Sequence, residues 1–181
     1  MSLDLQQLYN KAWLFAAQAH LGQTLKASDL PYAAHVAMVA NELIFADRHE
    51  SVGALDIALP AALLHDVVED TGISQQALAE VFGEPVAATV ASLSKNLIAP
   101  YSDERYLQGI AAHSREAAVI KLCDRITNLQ SAPDSWSHAK RSSYLAESAQ
   151  ILSTLGHAHG YLRERLLAAM ASYRQRYVDI N

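Results

Sequence analysis

The string Leu63-Leu64-His65-Asp66-Val67-Val68-Glu69-Asp70 sets four ionisable groups directly after a strongly apolar turn, which is costly unless those groups have partners. Continued as one helix, it places His65 and Glu69 one turn apart on one face, and Asp66 and Asp70 one turn apart on the adjacent face. An imidazole beside a carboxylate suits a divalent cation such as Mn²⁺, Fe²⁺ or Zn²⁺, and carboxylates a turn further on suit the handling of water and protons. On its own the string fits a solvated helix end about equally well, with Glu69 and Asp70 as surface acids and His65 at the core edge. Two further strings add weight. In Ile120-Lys121-Leu122-Cys123-Asp124-Arg125-Ile126-Thr127-Asn128, Asp124 and Asn128 share a helix face, and Asp124 is a candidate to complete a metal shell. In Pro31-Tyr32-Ala33-Ala34-His35, His35 stands one turn into a helix whose start the proline fixes. Each alone is weak, since a lone His on an apolar helix is more often a satisfied core residue; the combination is stronger.

Other chemistry-bearing residues read as structural. His157-Ala158-His159 lies near a Gly-containing turn with no acids beside it, and is expected to be a solvated turn rather than a second metal site. Cys123, the single cysteine, reads as a small buried hydrophobe, and its solitude excludes a disulfide framework and a cysteine-based zinc site. Arg163, Arg165, Arg174 and Arg176 interleave with Leu166, Leu167 and Met170 as the solvated face of an amphipathic helix. Trp13 and Trp136 are packing residues, with Trp136 a candidate for the rim of a pocket.

The elements that must position these groups are helical throughout, because apolar residues recur three or four apart and Ala and Leu dominate. The spacing predicts helices over 5–20, 31–47, 57–70, 74–82, 84–94, 102–113, 117–129, 138–155 and 160–177, with loops at 23–30, 95–102 and 130–137. No alternating strand pattern, repeat or low-complexity linker interrupts them, so an all-α single domain over 1–181 is expected. Hydrophobic residues make up 51% and charged residues 18% of the 181, a composition that folds. A net charge of −5 argues against nucleic-acid coating, while leaving room for a local basic pocket. No apolar run is long enough for a membrane span and the N-terminus does not read as a signal, so a cytoplasmic location is expected.

Taken together, a His, then a His-Asp pair, then a distant Asp resemble the HD-domain metal-dependent phosphohydrolases. In detail, Pro31-Tyr32-x-x-His35, Ala61-Ala62-Leu63-Leu64-His65-Asp66-Val67-Val68-Glu69-Asp70-Thr71, Phe82-Gly83 and Lys121-Leu122-x-Asp124-Arg125-x-x-Asn128 resemble the hydrolase domain of the RelA/SpoT family. The likeness runs from about residue 8 to about residue 175, and with no synthetase domain in these residues it is similar to the small alarmone hydrolases.

The resemblance implies an HD-type helical bundle with a metal site at its centre. It implies one Mn²⁺, other divalent metals being admissible, held by His35, His65, Asp66 and Asp124. It also implies Glu69 and Asp70 as the pair that positions or deprotonates the attacking water, and Asn128 as a contact to the nucleotide. Lys26, Tyr32, Lys140 and Tyr144 fall where the family contacts phosphate, ribose and base. The implied activity is release of pyrophosphate from the 3′ position of (p)ppGpp-type alarmones of the stringent response, leaving GDP or GTP. One departure bears on the base. The family's early loop commonly reads Gly-Gln-x-Arg-Lys, whereas Gly22-Gln23-Thr24-Leu25-Lys26 offers apolar contact but no guanidinium, which makes ppApp a serious candidate. The competing readings are another HD-domain nucleotide phosphohydrolase, acting on a nucleoside monophosphate, a cyclic nucleotide or NADPH, and a non-catalytic nucleotide sensor. The Glu69-Asp70-Thr71 continuation and the intact metal positions favour the alarmone hydrolase.

Overall fold

The computed structural model describes residues 4–26 and 28–179. Side-chain caps and glycine breaks in the sequence set the helix boundaries. α1 (Leu5–Ala19) starts at Asp4, whose carboxylate and the Gln7 side chain form a reciprocal capping box. α2 (Ala33–Asp47) follows the Pro31-Tyr32 turn, two residues later than the proline alone suggests. α3 (Leu55–Leu64) begins ahead of its expected start, so Pro60 sits in its interior rather than its first turn. α4 (Val67–Asp70) is a single turn, and α5 (Gln75–Phe82) and α6 (Glu84–Leu93) meet at Gly83, whose φ of 86° is left-handed. Ser102 caps α7 (Asp103–His113), Ser114 caps α8 (Arg115–Asn128) and Ser137 caps α9 (His138–Leu155), each accepting from an amide three residues on. α10 (Gly160–Tyr177) completes the bundle, and the described residues hold no strand beyond an isolated bridge between Thr24 and Pro31.

The expected helix over 57–70 is in fact two. α3 stops at Leu64, and His65 and Asp66 form a turn before α4. The His65 ring Nδ1 lies 2.8 Å from the Ala62 carbonyl, the acceptor that an uninterrupted helix offers to the amide of Asp66. Periodicity runs straight through this point, but local side-chain chemistry interrupts it. Asp66 and Asp70 nonetheless stay one turn apart, the Asp70 amide donating to the Asp66 carbonyl at 2.9 Å.

α3 is the central element: every residue from Ala58 to Leu64 is buried, and the helix packs against α1, α2, α6 and α8. α8 is the second buried axis, with Leu122, Cys123 and Ile126 inside, and it packs on α2, α9 and α10. One apolar core runs from Ala12 in α1 to Tyr173 in α10. The contact of α2, α3 and α8 brings three distant parts of the sequence to one place.

His159, expected in a solvated turn, is fully buried. Its Nδ1 accepts from the Leu162 amide as the cap of α10, and its Nε2 donates to the Glu50 carbonyl 2.8 Å away. With both nitrogens engaged by backbone, it is a structural clasp and no metal ligand.

Gly53, between α2 and α3, has φ 105°, and a Cβ there would lie 2.3 Å from Glu116 Oε1. That oxygen accepts from the Ala54 amide (2.8 Å), holding the start of α3 against α8. Burial raises the Glu116 pKa, but the Ala54 amide and further donors outweigh it and leave the group low. Its stabilisation is thus complete above the ordinary Glu range and is lost as pH falls through the lowered value. Gly53→Ala is expected to destabilise by more than about 1 kcal/mol in urea melts. The loss should be smaller in Glu116→Ala, where room is made; equal losses in both backgrounds would rule out the clash.

Candidate active site and metal centre

Four side chains converge where α2, the α3–α4 turn and α8 meet. His35 stands in the first turn of α2, His65 and Asp66 occupy the turn, and Asp124 lies in α8. The ligand atoms of His35, His65 and Asp66 all lie within 4.8 Å of one another. Asp124 Oδ1 is 3.3 Å from His35 Nε2 and 3.8 Å from His65 Nε2, closing the group. His35, His65 and Asp124 are buried, and Asp66 is partly so.

The donors are oriented for a cation. Because a carbonyl only accepts, the bond to Ala62 puts a proton on His65 Nδ1 and turns Nε2 inward. That Nε2 is buried and makes no hydrogen bond of acceptable geometry, although Asp66 Oδ2 is 2.9 Å away. Burial alone would lower the His65 pKa, but Asp66 and Asp124 raise it to about 9. Asp124 is held well below the carboxylate range, chiefly by Lys121, against the effect of burial. A divalent cation held by these groups would displace any proton from the inward imidazole nitrogens. Two imidazole nitrogens and two carboxylate oxygens fit a borderline divalent ion such as Mn²⁺, Fe²⁺ or Zn²⁺.

A second ring of groups holds the donors. The Tyr32 hydroxyl donates to Asp66 Oδ2, and burial followed by the Asp66 charge pushes its pKa far up. Lys121 Nζ donates to Asp124 Oδ2 at 2.8 Å, and the Asn128 amide donates to Asp124 Oδ1. Tyr32 and Asn128, expected to touch substrate, line the cavity, and each also donates a hydrogen bond to a carboxylate of the centre. Tyr32→Phe is expected to weaken Mn²⁺ binding by roughly ten- to a hundredfold while leaving the fold intact. Unchanged metal affinity in a calorimetric titration would show that the hydroxyl does not orient Asp66.

The centre forms the floor of a cavity of about 750 Å³. Asp70 lines it, its pKa raised by burial first and then by Asp66, with His20 and Lys26 opposing. Glu69 lines it too, but its Oε2 accepts from the Lys95 amide at 2.7 Å, across the gap between α4 and the turn after α6. Lys26 and Leu25 stand on the wall that leads into α2. Lys140 and Trp136 also line the cavity, with Lys140 Nζ 5.5 Å from the centre of the Trp136 ring, which meets Tyr144 edge-on. Tyr144 is backed by Arg125, 4.0 Å from its ring centre. All eleven site residues expected from the sequence border this one cavity.

Sequence reasoning passed over His20, Gln23, Lys95, Lys121 and Arg125. His20 is buried, its Nδ1 bonds to Gln23 Oε1 (2.8 Å), and Gln23 Nε2 donates to the Asp70 carbonyl (3.0 Å). The Gly22-Gln23 pair is the signal that could have drawn attention to this brace; Lys95 lies in a short irregular segment with no periodic signal.

The fold and the His/Asp centre define an HD domain, and the HD domain family (HD_4) matches over residues 12–162. The chain belongs to the HD-domain phosphohydrolases, in the branch that contains MESH1 and SpoT. It is 32% identical over 159 residues to the guanosine-3′,5′-bis(diphosphate) 3′-pyrophosphohydrolase MESH1 of Danio rerio, covering 84% of this chain and 86% of that one. The human MESH1 is 34% identical over 160 residues, with 84% and 87% covered. The bifunctional (p)ppGpp synthase/hydrolase SpoT of Escherichia coli (strain K12) is 35% identical over an alignment of 184 positions, gaps included, that covers 92% of this chain but 24% of SpoT. A solved structure of a metazoan orthologue of SpoT, described as hydrolysing ppGpp, superposes with a TM-score of 0.78 at 28% identity, covering 93% of this chain and 95% of that one.

Proposed function

We propose that the protein is a Mn²⁺-dependent 3′-pyrophosphohydrolase of (p)ppGpp-type nucleotides, acting as one domain over 1–181 in the cytoplasm. The observation that carries this reading is the centre of two imidazoles and two carboxylates on the floor of a cavity large enough for a nucleotide, with Lys26 and Lys140 on its walls. The names of the relatives point the same way. No helix among the described residues is long and apolar enough to cross a membrane.

His35, His65, Asp66 and Asp124 would hold the cation. When bound, such a cation supplies Lewis acidity, polarising a phosphoryl oxygen and raising the acidity of water. Asp70, on the cavity lining one helical turn beyond Asp66, is the proton acceptor, and partial burial raises its pKa. Glu69, with one oxygen on the Lys95 amide, keeps the other for the water. The water oxygen bonds to the phosphorus next to the 3′ oxygen, and its proton passes to Asp70. The bond from that phosphorus to the 3′ oxygen breaks, and the 3′ oxygen leaves with the electron pair and takes a proton from solvent. The products are pyrophosphate and a nucleoside 5′-di- or triphosphate. Lys26 and Lys140 attract the phosphates, and Tyr144 beside Trp136 offers an aromatic wall to ribose or base.

Leu25 on the cavity wall favours a second reading within the same chemistry, a preference for ppApp over ppGpp. A purine meets an aliphatic side chain there and no guanidinium, which removes a cationic partner for the guanine carbonyl. The test is pyrophosphate release from ppGpp and ppApp in parallel, with Mn²⁺ and with chelator. Mn²⁺-dependent release from either nucleotide supports the reading, and the ratio measures base choice. No release from metal-loaded protein would turn it to another nucleotide phosphohydrolase, or to a sensor.

A further inference from the structure

Lys95 opens a one-turn 3-10 helix (Lys95–Leu97) after α6, and two hydrogen bonds to α4 fix its place. Its amide donates to Glu69 Oε2 (2.7 Å), and the neighbouring Asn96 side chain donates to the Val68 carbonyl (3.2 Å). The turn is thus strapped to α4, immediately beyond the His65-Asp66 pair. Its side chain runs over the buried ring of Tyr106, with Nζ 5.5 Å from the ring centre. Lys121 Nζ lies at 5.5 Å from the same ring.

The cations of this wall differ in what neutralises them. Lys121 is bonded to Asp124 at 2.8 Å, and Arg125 lies 3.5 Å from Glu147. The Lys95 ammonium, by contrast, forms no ion pair within 4 Å among the described residues, Glu69 and Glu147 acting on it only from further off, although the residue is only partly exposed and lines the cavity. Burial, and then the charge of Lys121, hold its pKa below the usual lysine value. A partly desolvated ammonium without a counter-ion is costly, and an anion arriving in the cavity relieves that cost.

We propose that Lys95 binds the outer phosphate of the substrate's 3′-diphosphate, and that Glu69 acts as a positioning residue for it through the Lys95 amide. The inference rests on the reading of the site as a 3′-pyrophosphohydrolase. The phosphorus under attack must lie at the His/Asp centre. Lys95 stands beside that centre, tied to α4 and sharing the Tyr106 ring with the lysine that holds Asp124. The group next along the substrate, on the side away from the ribose, is the outer phosphate. A terminal phosphate carries the most charge and suits a compact ammonium. The 5′ phosphates, on the other side of the ribose, are left to the remaining lysines of the lining, Lys26 and Lys140.

The test titrates Mn²⁺-loaded protein, freed of excess Mn²⁺, with inorganic pyrophosphate and separately with GDP. Lys95→Met is expected to weaken pyrophosphate binding by roughly ten- to a hundredfold and to leave GDP binding within about twofold. Lys95→Arg should restore most of the loss, and Lys95→Gln serves in its place if the Met variant does not fold. Glu69→Gln keeps an acceptor for the Lys95 amide and is expected to bind pyrophosphate as the parent does, while Glu69→Ala loses affinity. Pyrophosphate binding that ignores Lys95, or a loss shared equally by pyrophosphate and GDP, overturns the assignment. Absence of ppGpp and ppApp hydrolysis in the parent would remove the enzymatic reading, yet the pyrophosphate titration would still decide what Lys95 binds.

Discussion

Asp124→Ala is expected to yield protein that retains no stoichiometric Mn²⁺, shows no measurable turnover and is less stable by about 3–5 kcal/mol in its metal-free form. The two losses have different origins. Asp124 faces both imidazoles, with its Oδ1 3.3 Å from His35 Nε2, so its removal takes away an anionic donor of the centre. It is also the partner of Lys121, whose Nζ is 2.8 Å from Oδ2 in a site where both side chains are nearly sealed from water. Without the carboxylate that ammonium is left buried and unpaired. The double variant Asp124→Ala with Lys121→Met should therefore recover much of the stability and none of the metal. Full metal content in Asp124→Ala, by elemental analysis after dialysis, would remove Asp124 from the ligand set. Failure of the double variant to regain stability would show that the buried pair is not the cause.

Asp70→Asn is expected to lower kcat by about 10²–10⁴-fold with metal content unchanged, which is the usual contribution of a positioned proton acceptor. Glu69→Gln should cost less, because its best-defined duty is to accept a backbone hydrogen bond that an amide oxygen can also accept. The pH profile separates the roles further. Asp70 must be ionised to act as a base, so activity should fall on the acid side as it takes up a proton; burial raises that pKa, and the Asp66 charge adds to the rise only where no cation offsets it. Lys26 holds that pKa down, so Lys26→Ala should move the acid limb to higher pH. Metal loss in Asp70→Asn, or an acid limb that survives it unchanged, would assign the proton to another group.

The four convergent donors were legible in sequence because ionisable residues interrupting buried helices need a reason, and their types suit one cation. Helices α5, α6, α7, α9 and α10 were legible to within a residue or so from caps and Gly breaks. The turn at His65 and Asp66 was not, since the apolar period runs through it and the interruption arises from a ring nitrogen meeting the Ala62 carbonyl. Asn128 and Tyr32 were recognised as residues of the site, but pattern alone does not say whether a polar group faces the substrate or braces a ligand. Their partners come from α8 itself in one case and from across the fold in the other. His159 illustrates the opposite error: two histidines near a Gly look solvated until the 109-residue gap to Glu50 is closed in space.

That same clasp has a consequence for the order in which the molecule is made. His159 joins the segment after α2 to the start of α10 across 109 residues, and α10 also packs on α8 and α9. On a ribosome the N-terminal helices emerge first, with His35, His65 and Asp66 already exposed to the cell's ions while Asp124 and its supporting helices are still unmade. A nascent chain therefore offers an incomplete set of donors, open to any divalent ion that meets it. The set of four is complete only once α8 has joined α2 and α3, and α10 packs on α8 and α9 after that.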